Sequence, residues 1–424
     1  MGSDFYEMRA KLENAVLRHH DFYRSSLPLI ASENLTSSFV RRFYSSDLGH
    51  RYAEGKVGKR FYQGCEFIDE IEEMALKLTK KLFNAEHANV QPISGVVANI
   101  AAFFALTKPS ERVMALSVPC GGHISHDRIS AAGIRGLEVD YYPFNYENME
   151  IDIDKTAKIA REKNPRVFVL GSSLILFSQP VKELAEIASE LDSKVMYDAS
   201  HVLGLIAGGA FQNPIQEGAD VVTGSTHKTF FGPQRAIILS KKELADRVDD
   251  AVFPGVVSNH HLNTLAAYTA AAIEMMRFGK DYAEQTVKNA KKLAESLYNL
   301  GFNVVGESRG FTESHQVAVD VRKIGGGEKV AKSLERINII LNKNLLPWDD
   351  LSKTINPSGI RMGVQEITRV GMKEGEMEEI AKIMYERLMK NGNERVLRER
   401  VMELKSRFRT LKYTFEEEEA YTWV

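Results

Sequence analysis

Cysteine is almost absent. Cys65 and Cys120 are the only two in 424 residues, which excludes a disulfide-built scaffold and fits a reducing compartment. Long apolar runs are missing as well: the stretch from Val96 to Leu106 falls well short of the ~20 residues a membrane helix needs. Charge of one sign is missing too. Net charge is −2, from 55 basic and 57 acidic residues, so no electrostatic footprint points to nucleic acid or to an anionic membrane. The opening MGSDFYEMRAK has no apolar signal core, and Tyr6 stands where a myristoylation signal has a hydroxyl, so the expected location is cytoplasmic. Internal repeats and low-complexity linkers are also lacking. What remains is an ordinary globular composition, 44% apolar and 26% charged, in a chain long enough for two domains.

Hydrophobic periodicity gives the organisation. Residues 1–40 read as an arm: a charged helix followed by Leu27-Pro28-Leu29-Ile30-Ala31-Ser32-Glu33-Asn34. From about 70 to 275, helix patterns (Glu70 to Leu82, Lys182 to Leu191) alternate with strand patterns (Val113 to Leu116, Val167 to Leu170, Lys194 to Tyr197, Ala236 to Leu239). That alternation predicts an α/β sheet of mainly parallel strands, in a large domain spanning 41–275. A long helical run over 264–300 leads into a smaller α/β domain, 276–424, with a strand at Gln316 to Val321 and a helix at Glu376 to Lys390. The tail is expected to be helical as far as Arg409, with Glu416 to Glu419 a solvated acidic patch.

Two strand ends carry chemistry. Val221-Val222-Thr223-Gly224-Ser225-Thr226-His227-Lys228 ends an apolar run in hydroxyls, an imidazole and a lysine. Val195-Met196-Tyr197-Asp198-Ala199-Ser200-His201 ends another in a carboxylate. Singly, such a lysine is more often a solvated surface residue, and such an aspartate a turn or cap. Together, at strand ends where α/β sheets collect ligands, they suggest pyridoxal phosphate, with lysine for an imine and aspartate for the pyridine nitrogen. A lysine in that role needs a lowered pKa, and the adjacent His227 is expected to push it down.

The motifs also resemble a known family. LIASEN (Leu29 to Asn34), HRYAEG (His50 to Gly55), GKRFYQGCEFID (Gly58 to Asp69), QPISGVVAN (Gln91 to Asn99) and GGHISH (Gly121 to His126) occur in order. They are followed by Asp198 to Ala207, Ser225 to Pro233, Phe253 to Gly255 and Gly359 to Gly363. Across nearly its whole length the chain resembles serine hydroxymethyltransferase, with an archaeal flavour in SGVVAN and FPGVVSNHH. The resemblance implies fold type I of the pyridoxal-phosphate transferases: a mixed, mostly parallel seven-stranded sheet between helices, plus a smaller C-terminal α/β domain. It implies reversible transfer of the serine hydroxymethyl carbon to a reduced pterin, giving glycine.

The same resemblance distributes roles. Lys228 carries pyridoxal 5'-phosphate, Asp198 bonds the pyridine nitrogen, His201 the ring hydroxyl, and His123 stacks on the ring. Ser94 and Gly95, at a helix start, hold the phosphate with Ser225, Thr226 and His227, and Ser173 is a further cofactor contact. Arg361 grips the substrate carboxylate with Ser32 in support; the bland alternative for an isolated arginine between apolar residues is a structural salt bridge. Glu54 handles the proton at the hydroxymethyl group beside Tyr52 and Tyr62. All three come from the neighbouring subunit, so a homodimer is expected.

Departures gather where the pterin belongs. Trp348 follows Pro347 where the family has a polar residue, offering a stacking plate beside Val118 and Ile124. Val96 replaces a hydroxyl, Ile175 a common tyrosine, Ser258-Asn259 a Gly-Gly pair, and Gln234-Arg235-Ala236 shifts an arginine by one position. These differences favour a modified carrier such as tetrahydromethanopterin over tetrahydrofolate. The rival activity is pterin-independent aldol cleavage of β-hydroxy amino acids such as threonine.

Overall fold

The computed structural model describes residues 2–422. Its centre is a seven-stranded sheet. In chain order the strands are β1 (His87–Asn89), β2 (Arg112–Ala115), β3 (Glu138–Tyr141), β4 (Val167–Leu170), β5 (Lys194–Asp198), β6 (Val221–Ser225) and β7 (Ala236–Ser240). The spatial order is β1-β7-β6-β5-β4-β2-β3, parallel throughout except for β7, which runs antiparallel to both of its neighbours. The expected mixed, mostly parallel sheet is therefore present.

Strand alternation makes three layers. Val113, Val167, Val169, Met196 and Ile238 face one core, together with the apolar side of a helix at Gly95–Leu106. Met114, Phe168, Leu170, Val195, Tyr197 and Leu239 face the opposite core. With both faces covered, β4, β5 and β7 are apolar along their middles, and polar residues concentrate at the ends of β5 and β7. The carboxyl ends of β5 and β6 lie side by side because Asp198 pairs with Thr223 in register.

A second core packs around an antiparallel sheet of β8 (Asn303–Val304), β9 (Gln316–Asp320), β10 (Asn342–Asn344) and β11 (Gly359–Gly363), in the order β8-β9-β11-β10. One 38-residue helix, Leu262–Asn299, serves both cores: Leu265 to Ala283 pack in the first, Ala290 to Leu297 in the second. Position 275 thus falls inside a continuous helix of roughly 57 Å. Leu27 and Leu29 of the arm join the second core, where Leu27–Pro28 pairs in parallel with Ile339–Ile340.

The tail departs from expectation in one respect. Its helix ends at Ser406, and Glu418–Glu419 then pairs with Thr410–Leu411. Glu418 accepts from the Ser38 backbone N–H at 2.6 Å and lies 3.6 Å from Arg41. It is a strap contact to the arm, and only its neighbours are solvated.

Candidate active site

Five loops converge at the carboxyl end of the large sheet. The first follows β1. Ser94 caps the helix Gly95–Leu106, accepting from Val97 N at 3.4 Å, which leaves the first-turn N–H groups of Gly95 and Val96 without helical acceptors. A Cβ at Gly95 would sit 2.3 Å from Ser225 Oγ, so this helix start is a cradle that only glycine leaves open. Ser200 completes it, accepting from both Ser225 N (3.0 Å) and Ser225 Oγ (3.1 Å). Hydroxyls and free N–H groups at a helix N-terminus are the donor set an anion requires.

Asp198 is buried at the end of β5. Its Oδ2 accepts from Asn99 (2.8 Å) and His126 Nε2 (3.2 Å), and its Oδ1 from Ser200 N (3.0 Å). Burial raises a carboxyl pKa, but His126, His123 and Lys228 outweigh it, and Asp198 is held far below the ordinary carboxylate range. Asn99 is the hub. Its Oδ1 accepts from Thr223 (2.7 Å), while its amide donates to Asp198 and to Ser125 Oγ at 2.8 Å. Ser125 Oγ in turn meets His123 Nδ1 at 2.6 Å, so one buried amide ties the carboxylate to the imidazole across the cavity. His123 stays neutral: burial takes it down to about 4.

Lys228 is 9% exposed and lines two adjoining cavities. The smaller, about 210 Å³, contains Ser94, Gly95, Asp198, Ser200, Ser225 and His227. The larger, about 520 Å³, contains Ser32, Val118, Ile124, Ser173 and Arg361. Lys228, His123 and His201 belong to both. Burial brings the Lys228 ammonium down to about 8, Asp198 opposing and Arg361 assisting. The expected push from His227 is absent because that imidazole is itself buried and neutral, at about 4.

Arg361 comes from β11. Its Nε donates to Asn342 Oδ1 (3.1 Å) and its Nη1 to the Ser173 carbonyl (2.5 Å). No carboxylate pairs with it among the described residues, and burial alone shifts it, down to about 10. A buried cation held only by neutral acceptors is costly unless an anion arrives, which removes the salt-bridge alternative.

Other expected residues are placed differently. Thr226 is fully buried and its hydroxyl donates to the Pro233 carbonyl at 2.6 Å, so it shapes the lysine loop and lines neither cavity. Trp348 also lines neither. Its ring packs on the cluster of Leu174, Phe177 and Leu346 beneath Arg322, whose guanidinium lies 5.1 Å from the ring. The turn at Pro347 aims the indole inward, so Trp348 is no plate for a carrier in this geometry. Arg235 is buried, donating to the carbonyls of Val90 (2.9 Å) and His261 (3.1 Å), and braces the hairpin against the long helix.

Glu54, Tyr52 and Tyr62 are outside both cavities of their own chain. Tyr52 and Tyr62 lie 5.5 Å apart, ring to ring, and are 53% and 44% exposed. Ser258 donates to the Glu54 carboxylate. Asn259 Oδ1 accepts from Ala53 N (3.3 Å), and its amide donates to Arg51 O (2.8 Å). The segments at 51–54 and 258–259 are one docked unit. Sequence reasoning missed Asn99, Ser125, His126, Ser172, Ser200 and Gln316. Asn99 alone carried a signal, a polar residue inside an otherwise apolar helix.

The donor set suits a phosphorylated pyridine aldehyde. There is an open cradle at Gly95, an ionised carboxylate at Asp198, an amine of lowered basicity at Lys228, and, on the His227 ring that lines the same cavity, a buried Nδ1 without a partner.

A sequence model described as serine hydroxymethyltransferase matches residues 6–384. A serine hydroxymethyltransferase of Archaeoglobus fulgidus is 69% identical over 403 residues, covering 95% of this chain and 92% of its own. One of Methanosphaera stadtmanae is 56% identical over 411 residues, covering 97% of each chain. Among solved structures, L-threonine transaldolase from Pseudomonas fluorescens superposes with a TM-score of 0.88 at 31% identity, over 97% of this chain and 96% of that one.

Proposed function

The chain belongs to the serine hydroxymethyltransferase family of pyridoxal-phosphate-dependent one-carbon transferases, and from that premise we propose how its own residues carry out the transfer. The reaction converts serine and a reduced pterin into glycine, the methylene-pterin and water. Pyridoxal 5'-phosphate, when bound, supplies an electron sink for the bond broken at the serine α-carbon.

The observation that carries the proposal is the convergence of Lys228 and the unpaired Arg361 on one cavity. Near neutral pH, Lys228 has a far larger uncharged fraction than an ordinary lysine, so its amine can bond a carbonyl and later accept or return a proton. Asp198, ionised and locked by Asn99 and His126, would keep a pyridine nitrogen protonated once the cofactor is bound. Ser94, Gly95, Ser200, Ser225 and His227 hold the phosphate, with Ser172 lining the same cavity. His123 would hold the ring from one side and His201 would serve as donor to its hydroxyl, since both imidazoles line the two cavities with Lys228. Arg361 takes the substrate carboxylate in a fork, with Ser32 and the Ser173 loop beside it. Val118 and Ile124, at the mouth of the larger cavity, clamp the carrier's aromatic ring.

Glu54, with Tyr52 and Tyr62, reaches the site of the partner subunit and moves the proton of the hydroxymethyl oxygen. The exposure of Tyr52, Phe61, Tyr62 and Phe67 on one chain supports a homodimer that covers them. In this reading residues 1–40 are an arm, 41–275 the cofactor-binding domain and 276–424 the small domain, in a cytoplasmic enzyme. No described helix is long and apolar enough to cross a membrane.

The carrier we propose is tetrahydromethanopterin in preference to tetrahydrofolate. Its support is the identity to archaeal relatives and the apolar clamp, since Trp348 no longer contributes. The structural likeness to L-threonine transaldolase favours one second reading, cleavage of threonine without a pterin. Serine-to-glycine exchange, measured with each pterin, without a pterin, and with threonine competing, tests both. Glycine formation dependent on a pterin supports the transfer; threonine cleavage with no pterin response supports the aldolase; preference for tetrahydrofolate overturns the carrier assignment.

A further inference from the structure

Gln316 opens β9 of the small sheet, yet its side chain leaves that sheet and is completely buried against the loop after β4. Its amide can be oriented in only one way. Oε1 faces the Ile175 backbone N–H at 3.0 Å, which can only donate. Nε2 faces the Ser173 carbonyl at 3.0 Å, which can only accept. Reversing the amide would set donor against donor and acceptor against acceptor. The remaining Nε2 hydrogen points at His201 Nδ1, 3.0 Å away.

An amide N–H can only donate, so Nδ1 of His201 must carry a lone pair. The imidazole, which lines both cavities with Lys228, is left with its single proton on Nε2. The groups bearing on the ring are Lys228, Arg361, His315 and His123; burial first, then these neighbours, keep it from charging. His315 stacks on it, with centroids 5.8 Å apart at 18°, and itself donates Nε2–H to the Ala31 carbonyl. No carboxylate is among these neighbours to stabilise an imidazolium.

We propose that Gln316 is a positioning residue that fixes His201 as its Nε2–H tautomer, so that the active site holds a permanent neutral donor there. The same Gln316 amide also shares the Ser173 carbonyl with Arg361, so the donor for the ring and the grip for the substrate carboxylate hang on one backbone oxygen. A small-sheet residue thereby sets the protonation geometry of a large-sheet imidazole. The inference rests on the assignment of His201 to the cofactor hydroxyl, but the tautomer itself can be read without substrate or carrier.

The test is nitrogen NMR of histidine-labelled protein at neutral pH, with and without pyridoxal 5'-phosphate. The chain has only 11 histidines, and His201→Asn identifies the ring by loss of its signals. The expected result is an Nε2-protonated His201 in the native chain. Gln316→Glu, whose carboxylate accepts, should move the proton to Nδ1 or add a second one; Gln316→Met should leave a mixture. In the loaded enzyme both variants should lower kcat roughly tenfold to hundredfold, as lost support of a site ligand commonly does, with serine KM changed less than about threefold. An Nδ1-protonated His201 in the native chain, or an unchanged tautomer in both variants, overturns the proposal. Failure of serine-to-glycine exchange in the native enzyme with an Nε2–H ring overturns the functional reading instead.

Discussion

Asn34 donates its side-chain amide to the carbonyl oxygen of Lys228 at 2.7 Å, binding the arm to the lysine loop across 194 residues of sequence. The same amide donates to the Tyr282 hydroxyl at 2.9 Å, and its oxygen caps Leu35 N at 2.9 Å. Asn34→Ala strands a carbonyl and a phenol, and the expected cost is about 1–3 kcal/mol. Chemical denaturation should show that loss, with earlier release of the cofactor's visible absorbance on dilution. Native-like values for both would mean that the arm does not anchor the loop.

Arg361 should matter in two separable ways. Arg361→Lys keeps the charge but loses the fork, so serine KM should rise roughly ten- to hundredfold with cofactor capture intact. Arg361→Met removes a cation that helps to depress Lys228. Cofactor capture requires the neutral amine, so its rate should climb with pH through about 8 in the native enzyme. The midpoint should move upward in Arg361→Met. Stopped-flow capture across pH checks both, and an unmoved midpoint would remove Arg361 from the account of Lys228.

The placement of Trp348 separates two views of the carrier pocket. Packed away from the cavity with its Nε1 buried and unpartnered, it should tolerate Trp348→Phe with carrier KM within about twofold and stability within about 1 kcal/mol. Ile124→Ala at the cavity mouth should instead raise carrier KM several-fold, as expected for about 1–2 kcal/mol of lost apolar contact. The reverse pattern would put the indole back in the pocket.

Mixed oligomers test the shared site. Lys228→Ala and Glu54→Gln variants are each expected to be inactive. Refolded together one to one, they should recover about a quarter of native activity, because half the dimers are hybrids and one of their two sites is whole. If Glu54 served its own chain, every site would carry a lesion and mixing would restore nothing.

Acid should loosen a different cluster. Glu72 is buried against Arg60 at 2.6 Å, His260 at 3.0 Å and Gln91 at 2.8 Å. Burial pushes its carboxyl up, but these partners bring it down to about 2. A carboxyl depressed in the folded state contributes stability above its ordinary value, near 4.5, and that contribution fades as pH falls towards about 2. Glu72→Gln should cost about 3 kcal/mol at neutral pH and flatten the loss of stability between those limits. Urea midpoints across that range measure it.

Much of the fold was legible because its strands are short apolar runs with polar ends. Val167–Leu170 matches its expected bounds, and β5 and β7 each extend one residue further. Lys228 and Asp198 stood out for the same reason, and the structure puts both at one sheet end. Gln316 did not stand out, because only the pairing of β9 with β11 brings it near Arg361, and pairing between distant strands leaves no local trace. The identity of Trp348 suggests a plate, while its direction depends on the turn before it, which packs the ring on Leu174, Phe177 and Leu346. For Thr226, a hydroxyl beside a lysine does not reveal that the Pro233 carbonyl accepts its proton.

The docking of Ser258 and Asn259 onto residues 51–54 also bears on recombination. Chimaeras that exchange the first hundred residues between relatives would join an Arg51–Glu54 segment from one parent to a 258–259 segment from the other. Where the second parent lacks these two side chains, the clamp on Arg51 O and Ala53 N is lost although every junction is far from the site. Crossovers that keep the two stretches together should therefore outperform crossovers that part them.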